Sequence, residues 1–195
     1  LYKLALGHRN IRIIFQNADD KGKIANLVSL ENSNISIIKG SGVDLGRFSV
    51  RDSGEDDLLV VLPARMLKDK GVAEFVEAAK LLAERGVTLN SNARFVLVGA
   101  PDLDNPASIS ISEIQAWVQK GYVEHWGFCK NMEDVLARSA LVVLPSYREG
   151  LPKVLIEAAA CGRAVVTTDV PGCRDAIKPN ITGLLVPVRD AFKLA

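Results

Sequence analysis

Four short stretches of the chain, residues 58–62, 95–98, 141–144 and 164–166, are apolar at every position instead of at every second one. Continuous runs of Val, Leu and Ala of this length predict strands buried on both faces of a parallel sheet. Helical spacing lies between them. After Val72, apolar residues fall at Phe75, Val76, Ala79, Leu82 and Ala83, with Glu74, Glu77 and Glu84 on other faces, and Gly86 ends the run. Ile111, Ile114, Trp117 and Val118 mark a second helix that Gly121 stops. Asn131 is suited to cap a third, which turns Met132, Val135 and Leu136 inward. A fourth runs from Pro152 to Gly162. A weaker strand, 123–126, separates the second and third helices. Strands alternating with helices predict an α/β fold with a doubly wound, Rossmann-like parallel sheet. Right-handed crossovers place every strand's carboxyl end on one edge, where such sheets bind ligands. The edge loops are 63–71, 99–106, 145–152 and 167–172.

Residues 1–50 are patterned differently. A strand-like 11–15, a helix-like 22–30 and a strand-like 35–38 lead into Gly40-Ser41-Gly42-Val43-Asp44, and polar 51–57 reads as a linker. The 195 residues suffice for one α/β domain, or a domain and part of a second. With 48% hydrophobic and 24% charged residues, the chain is neither disordered nor low-complexity. Twenty-four Lys and Arg against 23 Asp and Glu leave +1, so no global field gathers nucleic acid. No apolar run is long enough to cross a bilayer as a helix. Cys129, Cys161 and Cys173 form no C-x-x-C pair, and free thiols in a reducing compartment are expected. The chain opens at Leu1 without Met and closes in helix-like 190–195, so we expect a piece of a longer protein.

Two edge loops carry chemistry. In Ala64-Arg65-Met66-Leu67-Lys68-Asp69-Lys70-Gly71, Arg65 stands near a strand end and Lys70 just before a helix. A planar guanidinium, a point charge and free helix amides suit a diphosphate, although a solvated surface loop would also carry such residues. In the loop after 141–144, Glu149 and Gly150 precede a helix that is apolar from Val154 to Cys161 except at Glu157. A buried carboxylate needs satisfaction, by an internal cation or by ligand hydroxyls across a cleft. The amides of Gly150 and Leu151 lie at the positive helix end, and Gly150 lets backbone pass close to a ligand.

The segment P-S-Y-R-E-G-L-P-K-V-L-I-E-A-A-A-C-G, 145–162, resembles the E-x7-E signature of retaining glycosyltransferases of GT-B architecture, family 4. Residues 164–175 and 180–187, the Gly42-Val43-Asp44 step and 65–71 match further family motifs, and the resemblance runs from about Phe15 to the end. Ala64 departs from it, where a Gly usually precedes the arginine. The resemblance implies that Glu149 contacts donor-sugar hydroxyls and Glu157 holds the ribose. It implies that Arg65 and Lys70 neutralise the diphosphate with the Gly150 and Leu151 amides, and that Gly127 and Phe128 lie against the base. Residues 1–50 then form the tail of an acceptor domain and the crossover, and 51–195 the nucleotide-sugar domain. The implied reaction is transfer from a nucleotide sugar, uridine-linked by preference, to a glycan or polyprenyl-linked acceptor in envelope polysaccharide or O-antigen synthesis. Gly7-His8-Arg9-Asn10 and residues 15–20 resemble the subset acting on lipid-linked sugars. The implied location is the cytoplasm, at the inner face of the membrane, with any membrane contact made by the missing domain. Alone, the fragment is expected to be inactive.

Cations and amides aimed at the leaving phosphate supply the electrostatic stabilisation that some transferases take from a metal, so no cofactor and no catalytic metal are expected. Asp102-Leu103-Asp104 is a D-x-D, yet Pro101, Asn105 and Pro106 make a turn sufficient. His8 and His125 have no partner at metal-ligand spacing, and His125 is expected to pack at a strand end. Gly40-x-Gly42 lacks the rest of a dinucleotide fingerprint. A nucleotide-sugar epimerase and a non-catalytic nucleotide-binding module remain as alternatives on the same architecture.

Overall fold

The computed structural model describes residues 5–6, 8, 10–26, 34–51, 58–86 and 93–195. The chain first makes β1 (Ile13–Phe15), α1 (Ala18–Ala25) and β2 (Ile35–Ile37), and the two strands pair in parallel, Ile13 against Ile35. The helix begins before the expected position. Asn17 caps it, with Oδ1 accepting from Asp20 N at 2.7 Å, and Asp19 and Asp20 sit in the favourable first turn. Gly22 therefore lies inside the helix and not at its start. Residues 27–30 of the expected helix, Gly7 and Arg9 of the expected lipid-sugar phrase, and 52–57 of the expected linker lie outside the described residues.

The main sheet contains β3 (Leu59–Pro63), β4 (Arg94–Val98), β5 (Glu124–Gly127), β6 (Leu141–Leu144), β7 (Ala164–Thr168) and β8 (Gly183–Val186). Its order is β5-β4-β3-β6-β7-β8, with every pairing parallel. Strand neighbours therefore proceed one way from β3 and the other way from β6, which is the doubly wound arrangement expected from the sequence.

Alternation within the strands explains their continuous apolarity. Val61, Val96, Val98, Val142 and Leu144 join the core on one face, while Leu62, Leu97 and Val143 join the core on the other. Each face is roofed by helices. Helix α2 (Val72–Glu84) buries Phe75 and Val76, and α3 (Ile111–Gln119) buries Ile114, against the second face. Helix α4 (Met132–Arg138), α5 (Lys153–Ala160) and α6 (Pro171–Ala176) supply Leu136, Leu155 and Cys173 to the first. Helix α7 (Ala191–Leu194) packs near α2. Two expectations need correction here. Asn131 precedes α4, but its side chain makes no capping bond, and Arg47 instead reaches the carbonyl of Lys130 and the carboxylate of Glu133. Residues 167–172 are not wholly loop, because Pro171 opens α6.

Candidate functional site

The carboxyl ends of β3 and β6 meet where the strand order reverses, and two glycines let the loop after β3 pack closely against those after β6 and β4. Gly71 has φ +72, and a Cβ there would lie 2.2 Å from the carbonyl oxygen of Pro145. Gly99, φ +149, is likewise closed against the carbonyl of Ala64, at 1.8 Å. No larger residue fits either contact without backbone movement. Tyr147 N donates to Asp69 O at 2.8 Å and ties the β3 loop to the β6 loop.

Beside this junction lies a cleft of about 570 Å³. Arg65 enters it from the end of β3, Asp102 from the loop after β4, Phe128 from the loop after β5, and Glu157 from α5. Arg65 Nη1 meets Asp102 Oδ2 at 2.7 Å, and the arginine side chain is 62% exposed. Glu157 is buried, since α5 packs Leu155 and Ala158 into the core while its opposite edge borders the cleft. One turn earlier on α5, Lys153 places Nζ 3.3 Å from Glu157 Oε1. The two ways of satisfying this carboxylate thus occur together: a cation on the same helix and an open cleft that both side chains line. Phe128 is 73% exposed at the cleft, and its ring stacks on no other aromatic ring among the described residues.

Lys70 and Glu149 form a second cluster. Lys70 Nζ and Ser146 Oγ both donate to Glu149 Oε1, at 2.6 and 2.7 Å. Among the described residues, Glu149 Oε2 has no donor. Thr167 and Thr168 support this loop from β7 by donating to the carbonyls of Leu144 and Ser146. The carbonyl of Gly150 accepts from Asn17 Nδ2 at 2.9 Å. Beneath the cluster, burial pushes the Cys173 thiol up to about 11; the Thr167 hydroxyl opposes the shift, and the nearby Glu149 charge adds to it. Tyr147 OH donates to Glu74 Oε1 at 2.5 Å, and the Arg189 guanidinium lies 4.6 Å from its ring centre. Burial, and then the Glu74 carboxylate, raise the phenol to about 12. Among the described residues, the buried Glu74 Oε2 finds no hydrogen-bond partner.

Of the residues singled out from sequence, Arg65, Phe128 and Glu157 share the cleft, while Lys70, Glu149, Gly150, Leu151 and Gly127 do not line it. Each predicted phosphate cation already has a carboxylate partner, Asp102 for Arg65 and Glu149 for Lys70. Gly127, φ +66, accepts through its carbonyl from Gly99 N at 2.8 Å and joins β5 to β4 at the edge. His125 is a tie at that edge, with Nε2 2.8 Å from Gly99 O. Asp102, of the D-x-D, is engaged by Arg65, and no group of three His, Cys, Asp or Glu suited to a metal occurs among the described residues.

The sequence reading did not select Lys153, Ser146 or Asn17. The i, i+4 spacing of Lys153 and Glu157 and the Asn-x-x-Asp cap at Asn17 were available signals. Nothing local points to Ser146.

A family model described as glycosyl transferases group 1 matches residues 57–195. The chain is 33% identical to N,N'-diacetylbacillosaminyl-diphospho-undecaprenol alpha-1,3-N-acetylgalactosaminyltransferase of Campylobacter jejuni, over 100% of this chain and 52% of that protein. It is 28% identical to D-inositol 3-phosphate glycosyltransferase of Frankia alni, over 94% of this chain and 48% of the relative. The chain thus spans about half the length of the curated relatives it matches. In fold it is similar to the crystal structure of Anabaena Alr3699/HepE in complex with UDP-glucose. The TM-score is 0.79 at 18% identity, over 100% of this chain and 55% of that one.

Proposed function

Because the chain belongs to the glycosyl transferases group 1 family, we propose that it is the nucleotide-sugar-binding half of a retaining, family 4 glycosyltransferase of GT-B architecture. The observation that carries the reading is the cleft at the strand-order reversal, with Arg65 on one wall and Glu157 on the other. A nucleoside diphosphate presents matching chemistry in sequence. Phe128 offers a ring face to the base, Glu157 accepts from ribose hydroxyls, and Arg65 forks onto the diphosphate. On that path Arg65 exchanges Asp102 for phosphate oxygens. Glu149 Oε2 is the acceptor available for sugar hydroxyls, and Lys70, held 2.6 Å from the same carboxylate, supplies the second positive charge. The amides of Gly150 and Leu151, ahead of α5, complete the cradle, and the Gly127 backbone borders the base.

In this reading the anomeric C–O bond breaks as negative charge collects on the departing phosphate. Arg65 and Lys70 stabilise that charge without a metal, so chelators leave transfer unchanged. Residues 51–195 are the donor domain, and 1–50 carry the end of the acceptor domain and the crossover. The donor is a UDP-sugar, in keeping with the UDP-glucose bound to the similar fold. The acceptor is a glycan or polyprenyl-diphosphate sugar in envelope polysaccharide assembly; the Campylobacter relative's name gives a diphospho-undecaprenol sugar as its acceptor. Transfer then takes place in the cytoplasm at the membrane's inner face, with lipid contact made outside this chain. No helix among the described residues is long and apolar enough to cross a membrane.

Calorimetric titration with UDP and GDP tests the reading. UDP is expected to bind more tightly than GDP, and Arg65→Ala to weaken it about 10- to 100-fold, the value of a charge-assisted contact. Binding of UDP that ignores Arg65→Ala would refute the site.

A further inference from the structure

The loop bearing Glu149 is gripped from two sides by elements distant in the chain. On one side is α6, where a Cβ on Gly172 would fall 2.4 Å from Gly150 O and 2.7 Å from Glu149 O. On the other is the corner between β1 and α1. Asn17 is wholly buried there, and its amide is fully engaged. Oδ1 accepts from Asp20 N at 2.7 Å; Nδ2 donates to Gly150 O at 2.9 Å and to Asp20 Oδ2 at 3.1 Å. The carbonyl of Gly150 can only accept, which fixes the orientation of the amide. Two neighbours reinforce the contact. A Cβ on Gly150 would meet Gln16 Oε1 at 2.1 Å, and Asp20 Oδ1 pairs with Arg148 Nη2 at 3.0 Å.

Capping α1 needs only a side-chain oxygen, and Ser or Asp would serve equally. Burying two amide donors is unfavourable unless they are satisfied. The part of Asn17 that the helix does not require is the part that holds Gly150. A trans peptide is planar, so anchoring the Gly150 carbonyl toward α1 turns the Leu151 N–H to the opposite side. We propose that Asn17 is a positioning residue of the donor loop. From the β1–α1 corner it fixes the Glu149–Gly150–Leu151 backbone, and with it the direction of the Glu149 carboxylate and the Leu151 amide. The proposal rests on the donor-site reading given above. A sugar held by Glu149 senses the tie directly, whereas a nucleoside diphosphate senses it only in part, through the Leu151 amide, because Arg65 and Glu157 lie outside the loop.

The test uses Asn17→Ser in the full-length enzyme, because Ser keeps the cap and removes the amide that reaches Gly150. Hydrogen exchange of the 146–153 peptide is expected to rise roughly fivefold or more while α1 stays protected. Turnover is measured with UDP-glucose, UDP-N-acetylglucosamine and UDP-N-acetylgalactosamine. For a donor that turns over, kcat/KM is expected to fall about tenfold or more, with inhibition by UDP weakened by a smaller factor, about threefold. Unchanged exchange at 146–153, or turnover and UDP inhibition weakening by one common factor, overturns the proposal. Where Asn17→Ser does not fold, Asn17→Asp is read the same way, and where no donor turns over, the exchange result decides. Arg65→Ala run in parallel separates the two readings. Undiminished UDP inhibition in that variant sinks the donor site, and the exchange data still judge the Asn17 tie.

Discussion

Replacing Lys70 by Met removes a cation 2.6 Å from Glu149 Oε1, in a pair whose side chains are only 19% and 13% exposed. Loss of one member of a fully buried pair costs about 3–5 kcal/mol, because the other charge stays desolvated and unpaired. Here Ser146 Oγ still donates to the carboxylate. The residual exposure also admits some solvent, so we expect Lys70→Met to destabilise the fold by about 2–3 kcal/mol. Glu149→Gln should cost a similar amount by stranding Lys70. The double variant Lys70→Met/Glu149→Gln carries no stranded charge and should recover most of the loss, because neutral replacement of a buried pair is often near-neutral. Urea denaturation at a constant slope measures all three. Calorimetry with UDP then separates stability from function. If Lys70 serves a diphosphate, the double variant regains stability while its UDP affinity stays about tenfold or more below the parent. A double variant that regains both refutes a ligand role for Lys70, and a single Lys70→Met variant as stable as the parent refutes the electrostatic account of the pair.

Three further outcomes follow from the geometry. Gly71→Ala places a methyl 2.2 Å from the Pro145 carbonyl at φ +72, so a loss of about 2 kcal/mol or more in urea melts is expected, against a gain of about 0.5–1 kcal/mol from Ala at Gly22, exposed inside α1. Tyr147, raised to about 12, should ionise above the range of an ordinary phenol in an ultraviolet titration; since the unfolded phenol titrates near 10, its contribution to stability is complete below about pH 10 and fades as the pH climbs toward 12. At pH 8 the buried Cys173, with its thiol near 11, should resist alkylation in the native protein, while partly exposed Cys129 labels first in a mass-spectrometric time course.

The sheet was legible because its strands are buried on both faces, and a run such as Leu-Val-Val-Leu at 141–144 admits few other readings. Gly86 and Gly121 marked the ends of α2 and α3 through their left-handed backbone. The start of α1 was misplaced because Gly22 drew attention away from the Asn17 cap. The short β8 and α6 escaped as elements because four- and six-residue segments carry too little periodicity. At the site, residue types were readable but their partners were not. Asp102 meeting Arg65, or Ser146 meeting Glu149, depends on how separate loops converge, and no local pattern encodes that. The same holds for Asn17 and Gly150, joined across most of the chain.

The pairing of β3 with β6 has a consequence for how the molecule is made. Val60 lies against Leu141 and Val61 against Val142, partners about 80 residues apart in the chain. During synthesis, β3 and β4 can associate early and leave the other margin of β3 open until β6 emerges. That margin is apolar, and its vacant amides and carbonyls can recruit strands from other chains. A chaperone binding near residues 59–63 in nascent chains, or truncation within 131–140, would trap that unfinished edge and direct the product toward inclusion bodies.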